Sequence, residues 1–229
     1  MLVDVSTNES MMLYDAAHAD GESILWVVFL TVGNLIGLVG NSLVIFASFK
    51  YGTFKMDGAT IVFVRQLAIS DIIFILMYPV PITTTHIAHT WVLGDVMCEV
   101  IGHGISIPAM ASINVILAVS IHRFMRCKYP KSVRGLDQRK ANIIALAIWI
   151  FSCCFIVYTF ITHMVVVFNG KLGACSFEYN DGAENVVTIS VLTLVPFISI
   201  TTLNLCLWFY VTRYIFLIVV LLRKVINTS

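Results

Sequence analysis

The chain has 229 residues, a formal net charge of +1, and a composition that is 59% hydrophobic and only 12% charged. Soluble domains average about 45–50% apolar and 25% charged residues, so this composition excludes an ordinary water-soluble protein. The near-neutral charge carries no information about partners, and we predict no nucleic-acid partner.

Five apolar stretches are long enough to cross a bilayer. About 20 apolar residues span the hydrocarbon core as a helix, and these runs are too continuously apolar for barrel strands. The predicted fold class is therefore an all-α membrane protein, a transmembrane helix bundle that contacts membrane lipid. The predicted spans are 24–49, 59–82, 100–121, 141–168 and 186–213 or 186–222, between an N-terminal segment 1–22 and a tail 223–229.

Positive charge indicates the orientation of these spans. Thirteen of the fourteen Lys and Arg residues lie on one side of the predicted spans, and residues 1–22 hold five acidic residues and no basic one. Because basic flanks stay inside, we expect an extracellular N-terminus and a cytoplasmic C-terminus in the cell membrane. The triplet Asn8-Glu9-Ser10 then predicts glycosylation of Asn8, with a chance triplet as the alternative.

Topology also sorts the cysteines. Cys98 lies just before the third span, and Cys175 lies in the loop between the fourth and fifth spans. Both face the predicted oxidising side, so we predict a disulfide between them.

The second predicted span contains an acidic residue, Asp71. No basic residue lies at a matching depth, so its carboxyl must be protonated, hydrogen-bonded or neutralised by a small cation. Asn41 and Ser112 lie at compatible depths and offer oxygen atoms. A Na⁺ site is one interpretation, and a protonated aspartic acid in an interhelical network is the other.

Several motifs occur in a fixed order along the chain. Cys98 precedes Arg123 by 25 residues, and Pro130 follows Arg123 by seven. The other members of the set are Gly40-Asn41-Ser42, Leu67-Ala68-Ile69-Ser70-Asp71, Trp91-Val92-Leu93-Gly94, Trp149, Cys175 and Pro196. Together they resemble the rhodopsin family, class A, of G-protein-coupled receptors. Tyr78-Pro79-Val80-Pro81 and Cys175-Ser176-Phe177 look most like the melatonin-receptor branch and related invertebrate orphans, although Leu192 and Thr159 replace that branch's histidine and asparagine.

The resemblance implies a receptor that passes an extracellular small-molecule or peptide signal to a heterotrimeric G protein, with no enzymatic activity and no cofactor other than the candidate Na⁺. It assigns structural roles to Asn41, Trp91, Trp149 and Pro196. It places the ligand between the outer helix ends, against Gly102, Ile105, Ser106, Ala109, Met110, Thr188, Ile189 and Leu192. Ile105 stands where receptors for amines carry an aspartate, and isoleucine cannot neutralise a cation, so a monoamine ligand is disfavoured.

The resemblance also assigns G-protein coupling to His122, Arg123, Phe124 and Pro130. In the family an acidic residue precedes the arginine and restrains it by an ion pair. His122 stands at that position here, and imidazole cannot form this pair in either protonation state. We therefore predict raised basal activity in an intact form of the receptor.

The family's later motifs do not occur. The sequence has no Cys-Trp-x-Pro of a sixth span and no Asn-Pro-x-x-Tyr of a seventh. Two functions stay open: a signalling receptor represented by an incomplete product, and a truncated isoform that cannot signal but associates with full-length receptors and is retained in the endoplasmic reticulum. A five-span transporter is disfavoured because Asp71 has no paired charge, and an enzyme is disfavoured because no HExxH or acid/His pair occurs.

The last predicted span is unusually long. Residues 186–222 would form a helix of about 55 Å, whereas the hydrocarbon core is about 30 Å thick. Residues after about Arg213 therefore come from an alternative splice end or a gene-model error, or belong to a tilted helix that overruns the membrane.

Overall fold

The computed structural model contains five long helices and one β-hairpin. The helices are α1 Asp20–Lys50, α2 Gly58–Met77, α3 Gly94–Lys128, α4 Gln138–Ile161 and α5 Ala183–Thr228; the strands are β1 Val166–Asn169 and β2 Ala174–Phe177. The structure describes residues 20–50, 57–79, 85, 88, 91–133, 135–162, 165–169, 174–177 and 183–228, without the side chains of 20–23, 132–133, 160, 183–186, 188–189 and 219–228. Asn8, the predicted glycosylation site, lies outside the described residues.

Each of the five helices is long and apolar enough to cross a membrane. The predicted fold class, a bundle of transmembrane helices, is thereby confirmed. α3 is the central helix, because it contacts α2, α4, α5 and both strands of the hairpin. α1 packs against α2, where Gly37 leaves room for the side chain of Ile75.

The second and fourth predicted spans end at residues 82 and 168. α2 is continuous from Gly58 to Met77, where Tyr78 still donates its backbone N–H to the carbonyl of Phe74, and residues 80–82 lie outside the described ones. The prediction of a fourth span to residue 168 is wrong, since α4 ends at Ile161 and Val166–Asn169 form a strand. A short apolar run fits a strand or a helix equally well, and hydropathy cannot separate them.

Three helices are longer than their predicted spans, and α1, which runs from Asp20 to Lys50 rather than over residues 24–49, differs least. α3 has 35 residues rather than 22, because its polar ends, including Asp95 and Lys128, stay helical beyond the apolar window of residues 100–121. α5 has 46 residues, a length of about 69 Å, and it runs through Arg213 without a break. The predicted tail 223–229 is also helical as far as Thr228.

Two clusters of buried side chains hold the bundle together. The first lies where α2, α3 and α4 meet, and consists of Ala59, Val62, Phe63, Val115, Ala141 and Ala145. The second lies at the other end of α3, beneath the hairpin, and is built on Cys98, Val166 and Phe168. We call these two ends of the bundle the basic end and the hairpin end.

Candidate functional site

A disulfide ties α3 to the hairpin. Cys98 in the first turns of α3 is bonded to Cys175 in β2, with 5.5 Å between the two Cα atoms. Antiparallel pairing sets Phe168 of β1 opposite Cys175, so the bond holds both strands against the helix. The predicted pairing of Cys98 with Cys175 is confirmed.

Aromatic and small residues complete the hairpin end. The indole of Trp91 stacks on Phe168 at 5.6 Å between ring centroids, and its Nε1–H donates to the carbonyl of Gly94 at 3.0 Å. Gly94 has a φ of 76°, a conformation that side chains other than glycine rarely adopt. Gly102 faces β1, and a Cβ atom there would overlap the side chain of Val166. The hairpin therefore packs closely against α3 because Gly102 has no side chain at the point of contact.

The residues predicted to contact a ligand divide between two environments on α3. Gly102 and Met110 are buried, whereas Ile105, Ser106 and Ala109 are half-buried. The hydroxyl of Ser106 donates to the carbonyl of Gly102 at 2.8 Å, within the helix. Leu192 of α5 is half-buried, and the side chains of Thr188 and Ile189 lie outside the described ones. The ligand-binding role of this set stays a prediction.

Asp71 lies in a hydroxyl network between α2 and α3. Ser112 Oγ donates to Asp71 Oδ1 at 3.1 Å, and Ser70 Oγ lies 2.8 Å from Ser112 Oγ. Asn41, the third predicted member, instead donates its amide to the carbonyl of Gly37 within α1, at 2.9 Å. One carboxylate and two hydroxyls suit a hard cation such as Na⁺, so the donor set fits the ion, and its binding stays a prediction.

A second polar contact joins α2 to α4. Trp149 Nε1–H donates to Gln66 Oε1 at 3.0 Å. Sequence reasoning identified Trp149 but missed Gln66, which lies one helical turn before Ser70 and accepts that residue's hydroxyl at its backbone carbonyl, at 3.1 Å. The contact between Trp149 and Gln66 joins residues 83 positions apart, so no local spacing indicates it.

The basic end is organised around one carboxylate, Asp57. It precedes α2 as its N-cap, and its Oδ2 accepts from the backbone N–H of Thr60 at 3.3 Å and from the Thr60 hydroxyl at 2.7 Å. The same oxygen lies 3.1 Å from Nη1 of Arg126 and 3.5 Å from Nε2 of His122, both on α3. Sequence reasoning missed Asp57 and Arg126, although an aspartate three residues before a threonine is a recognisable N-cap pattern.

Charge and hydrogen bonding keep Asp57 ionised. Partial burial raises the pKa of its carboxyl, but hydrogen bonds from Thr60 and the positive potential of His122 and Arg126 outweigh burial, so the pKa lies below its usual value of 3.8. Asp57 is therefore a carboxylate at neutral pH.

His122 and Arg123 point in different directions. The side chain of His122 is 4% exposed, with its ring edge-on to Phe63 at 6.2 Å between centroids, whereas Arg123 is exposed. Phe124 is half-buried beneath the Nζ of Lys128, 5.5 Å from the ring centroid, and Pro130 is exposed where the chain turns away. Of the four predicted coupling residues, Arg123 and Pro130 are exposed and His122 belongs to the packing of α2 on α3, and their role in coupling stays a prediction.

Five membrane-length helices, with a disulfide-bonded hairpin at one end, define a helical membrane protein. The family model described as 7 transmembrane receptor (rhodopsin family) matches residues 40–225, and the chain belongs to this family. Membership confirms the predicted resemblance and the prediction that the protein is not an enzyme.

Relatives and a solved structure agree with this membership. Chemokine XC receptor 1 of Homo sapiens is 30% identical over 162 residues, which are 67% of this chain and 47% of that receptor. Type-1 angiotensin II receptor of Sus scrofa is 26% identical over 222 residues, 91% of this chain and 61% of that receptor. The crystal structure of squid rhodopsin has the same fold, with a TM-score of 0.71 and 22% identity over 86% of this chain and 54% of that one.

The chain thus spans about half the length of the relatives it matches. None of these relatives supports the melatonin-receptor branch, which stays a prediction.

Proposed function

We propose that this chain is the ligand-binding and G-protein-contacting part of a rhodopsin-family receptor, with the hairpin end extracellular and the basic end cytoplasmic. The observation that carries the proposal is the course of α3. This single helix runs from the disulfide at Cys98 to the exposed Arg123, so it joins the proposed ligand end to the proposed G-protein end. Its length of 35 residues, about 52 Å, is enough to cross the membrane and leave it on both sides.

The ligand we propose is neutral or a peptide, and not a monoamine. Ile105 is half-buried on α3, and no carboxylate occurs among the predicted pocket residues to balance an ammonium group. Two relatives are named for a chemokine and for angiotensin II, which favours a peptide.

Nucleotide exchange tests the signalling part of this proposal. The 229-residue chain in lipid nanodiscs is expected to accelerate GTP uptake by purified heterotrimeric G proteins, and Arg123→Gln is expected to slow that uptake about tenfold, because it removes charged hydrogen bonds to the partner. Arg139→Gln is the matched control, since Arg139 is another exposed arginine at the basic end. Uptake equal to that with empty nanodiscs, for every class of heterotrimer, would refute signalling by this chain.

Association with another receptor chain is a second candidate function. It is supported by the outer helices, because neither the apolar window of α1 nor that of α5 contains a buried residue. Asn204 on α5 is exposed at membrane depth, where helix–helix contact stabilises a polar side chain. Its amide donates to Ser120 Oγ at 3.4 Å, and the other polar positions of the amide can bond to a second chain.

Co-purification tests this second candidate. A tagged and an untagged copy of the chain, expressed together, are expected to co-purify in mild detergent, and Asn204→Leu is expected to weaken that recovery. Recovery no higher than that of an unrelated membrane protein would contradict the association.

A further inference from the structure

Asp57 makes more contacts than helix capping requires. Thr60 alone satisfies the cap, through its backbone N–H and its hydroxyl. Arg126 and His122 reach the same oxygen from a different helix, α3. Residues four apart lie on one face of a helix, so 122 and 126 can approach one carboxylate together.

The same geometry excludes Arg123 from this carboxylate. Arg123 follows His122 by one residue, a rotation of about 100° around the axis of α3, so its side chain leaves the α2-facing side. His122 is 4% exposed against α2, whereas Arg123 is exposed. The orientation of His122 and Arg126 toward Asp57 therefore determines where Arg123 points.

We propose that Asp57 is a positioning residue for Arg123, holding the basic end of α2 against α3 through Arg126 and His122 and thereby turning Arg123 outward. We call these three side chains, Asp57, His122 and Arg126, the clamp. This role rests on the proposed function of Arg123 as the G-protein contact. In this receptor the acid that restrains the basic end of α3 comes from α2, and not from the position before the arginine. Arg123 is accordingly oriented by the clamp without being neutralised by it.

The clamp contains one carboxylate and one guanidinium, whose charges are opposite. Nη1 of Arg126 lies 3.1 Å from Asp57 Oδ2, so their opposite charges balance, and Nε2 of His122 lies 3.5 Å from the same oxygen. The pair is half in solvent, with the side chain of Asp57 26% exposed and that of Arg126 54% exposed, so its effect on local opening is modest. We expect about a two- to fivefold change in opening for the loss of such a pair.

Hydrogen exchange of the chain in lipid nanodiscs tests the clamp. Asp57→Asn keeps a capping side chain but removes the charge, and Arg126→Gln leaves the cap intact. Each is expected to make the backbone amides of residues 120–128 exchange about two- to fivefold faster. Because both variants break the same pair, the double variant is expected to exchange no faster than either single one.

Asp137→Asn is the matched control for charge and capping. Asp137 accepts from the backbone N–H of Lys140 at 2.9 Å at the start of α4, and no ion pair to another helix is found for it among the described residues. Unchanged exchange in α3 is expected for this variant. The clamp would be overturned if Asp137→Asn accelerated amide exchange in α3 as much as Asp57→Asn does. It would also be overturned if either Asp57→Asn or Arg126→Gln left amide exchange in α3 unchanged.

A second readout separates this proposal from the proposed function. In G-protein assays, Asp57→Asn and Arg126→Gln are both expected to lower the rate of nucleotide uptake, because Arg123 is no longer turned outward. Asp137→Asn is expected to leave that rate at the wild-type value. A wild-type chain without any uptake refutes the proposed function and with it the role of Arg123, whereas hydrogen exchange still decides whether the clamp exists. If the wild-type chain is active and both clamp variants give the wild-type rate of nucleotide uptake, the positioning role of Asp57 is overturned.

Discussion

Replacing Cys98 and Cys175 together by serine is expected to lower the stability of the chain by about 4 kcal/mol. The bond closes a loop with a sequence separation of 77 residues, and long loops gain the most conformational entropy when they are released. The measurement is thermal unfolding in lipid nanodiscs, together with hydrogen exchange of the strand residues 166–169 and 174–177. We expect these hairpin amides to lose most of their protection, because the bond holds β2 against α3.

Cys153 and Cys154 provide the control for this variant. Both are free and exposed on α4, so their replacement by serine removes the same number of sulfur atoms without opening a loop. The control is expected to unfold within about 1 kcal/mol of the wild type. A double Cys98/Cys175 variant with wild-type unfolding and wild-type protection of the hairpin would show that packing of Val166 against Gly102 suffices to hold it.

The sequence predicts the helices and the disulfide because each depends on a physical constraint that acts locally. A bilayer requires about 20 apolar residues per helix, and the side of the membrane decides which cysteines are oxidised. The helix ends are less predictable. Val166–Phe168 continue the apolar run that follows α4, and only the pairing of β1 with β2 determines that they form a strand.

The contacts at the basic end are the least predictable from sequence motifs. From the sequence, His122 removes an acid beside Arg123, which predicts the loss of a restraint. The structure places a different acid, Asp57, 3.5 Å from His122, because the N-terminus of α2 meets α3 at this level. That contact joins residues 65 positions apart in the chain, so no local pattern could have indicated it.

His122→Asp, the substitution that would restore the family's acid, is expected to destabilise this chain by about 3 kcal/mol. The new carboxylate would be buried next to Asp57, which is held ionised by Thr60 and Arg126. Two carboxylates at this distance repel each other, and a buried unpaired charge is costly. Thermal unfolding of the variant in nanodiscs measures this loss.

The double variant His122→Asp/Asp57→Asn separates repulsion from the restraint. The amide introduced at position 57 would keep the cap and carry no charge, so we expect most of the lost stability to return. The carboxylate introduced at position 122 would then be free to pair with Arg123 or Arg126, and basal nucleotide uptake is expected to fall below that of the Asp57→Asn variant. Stability that stays low in the double variant would mean that burial of the new carboxylate, and not Asp57, causes the loss. Equal uptake in the two variants would contradict the predicted link between the missing acid at position 122 and raised basal activity.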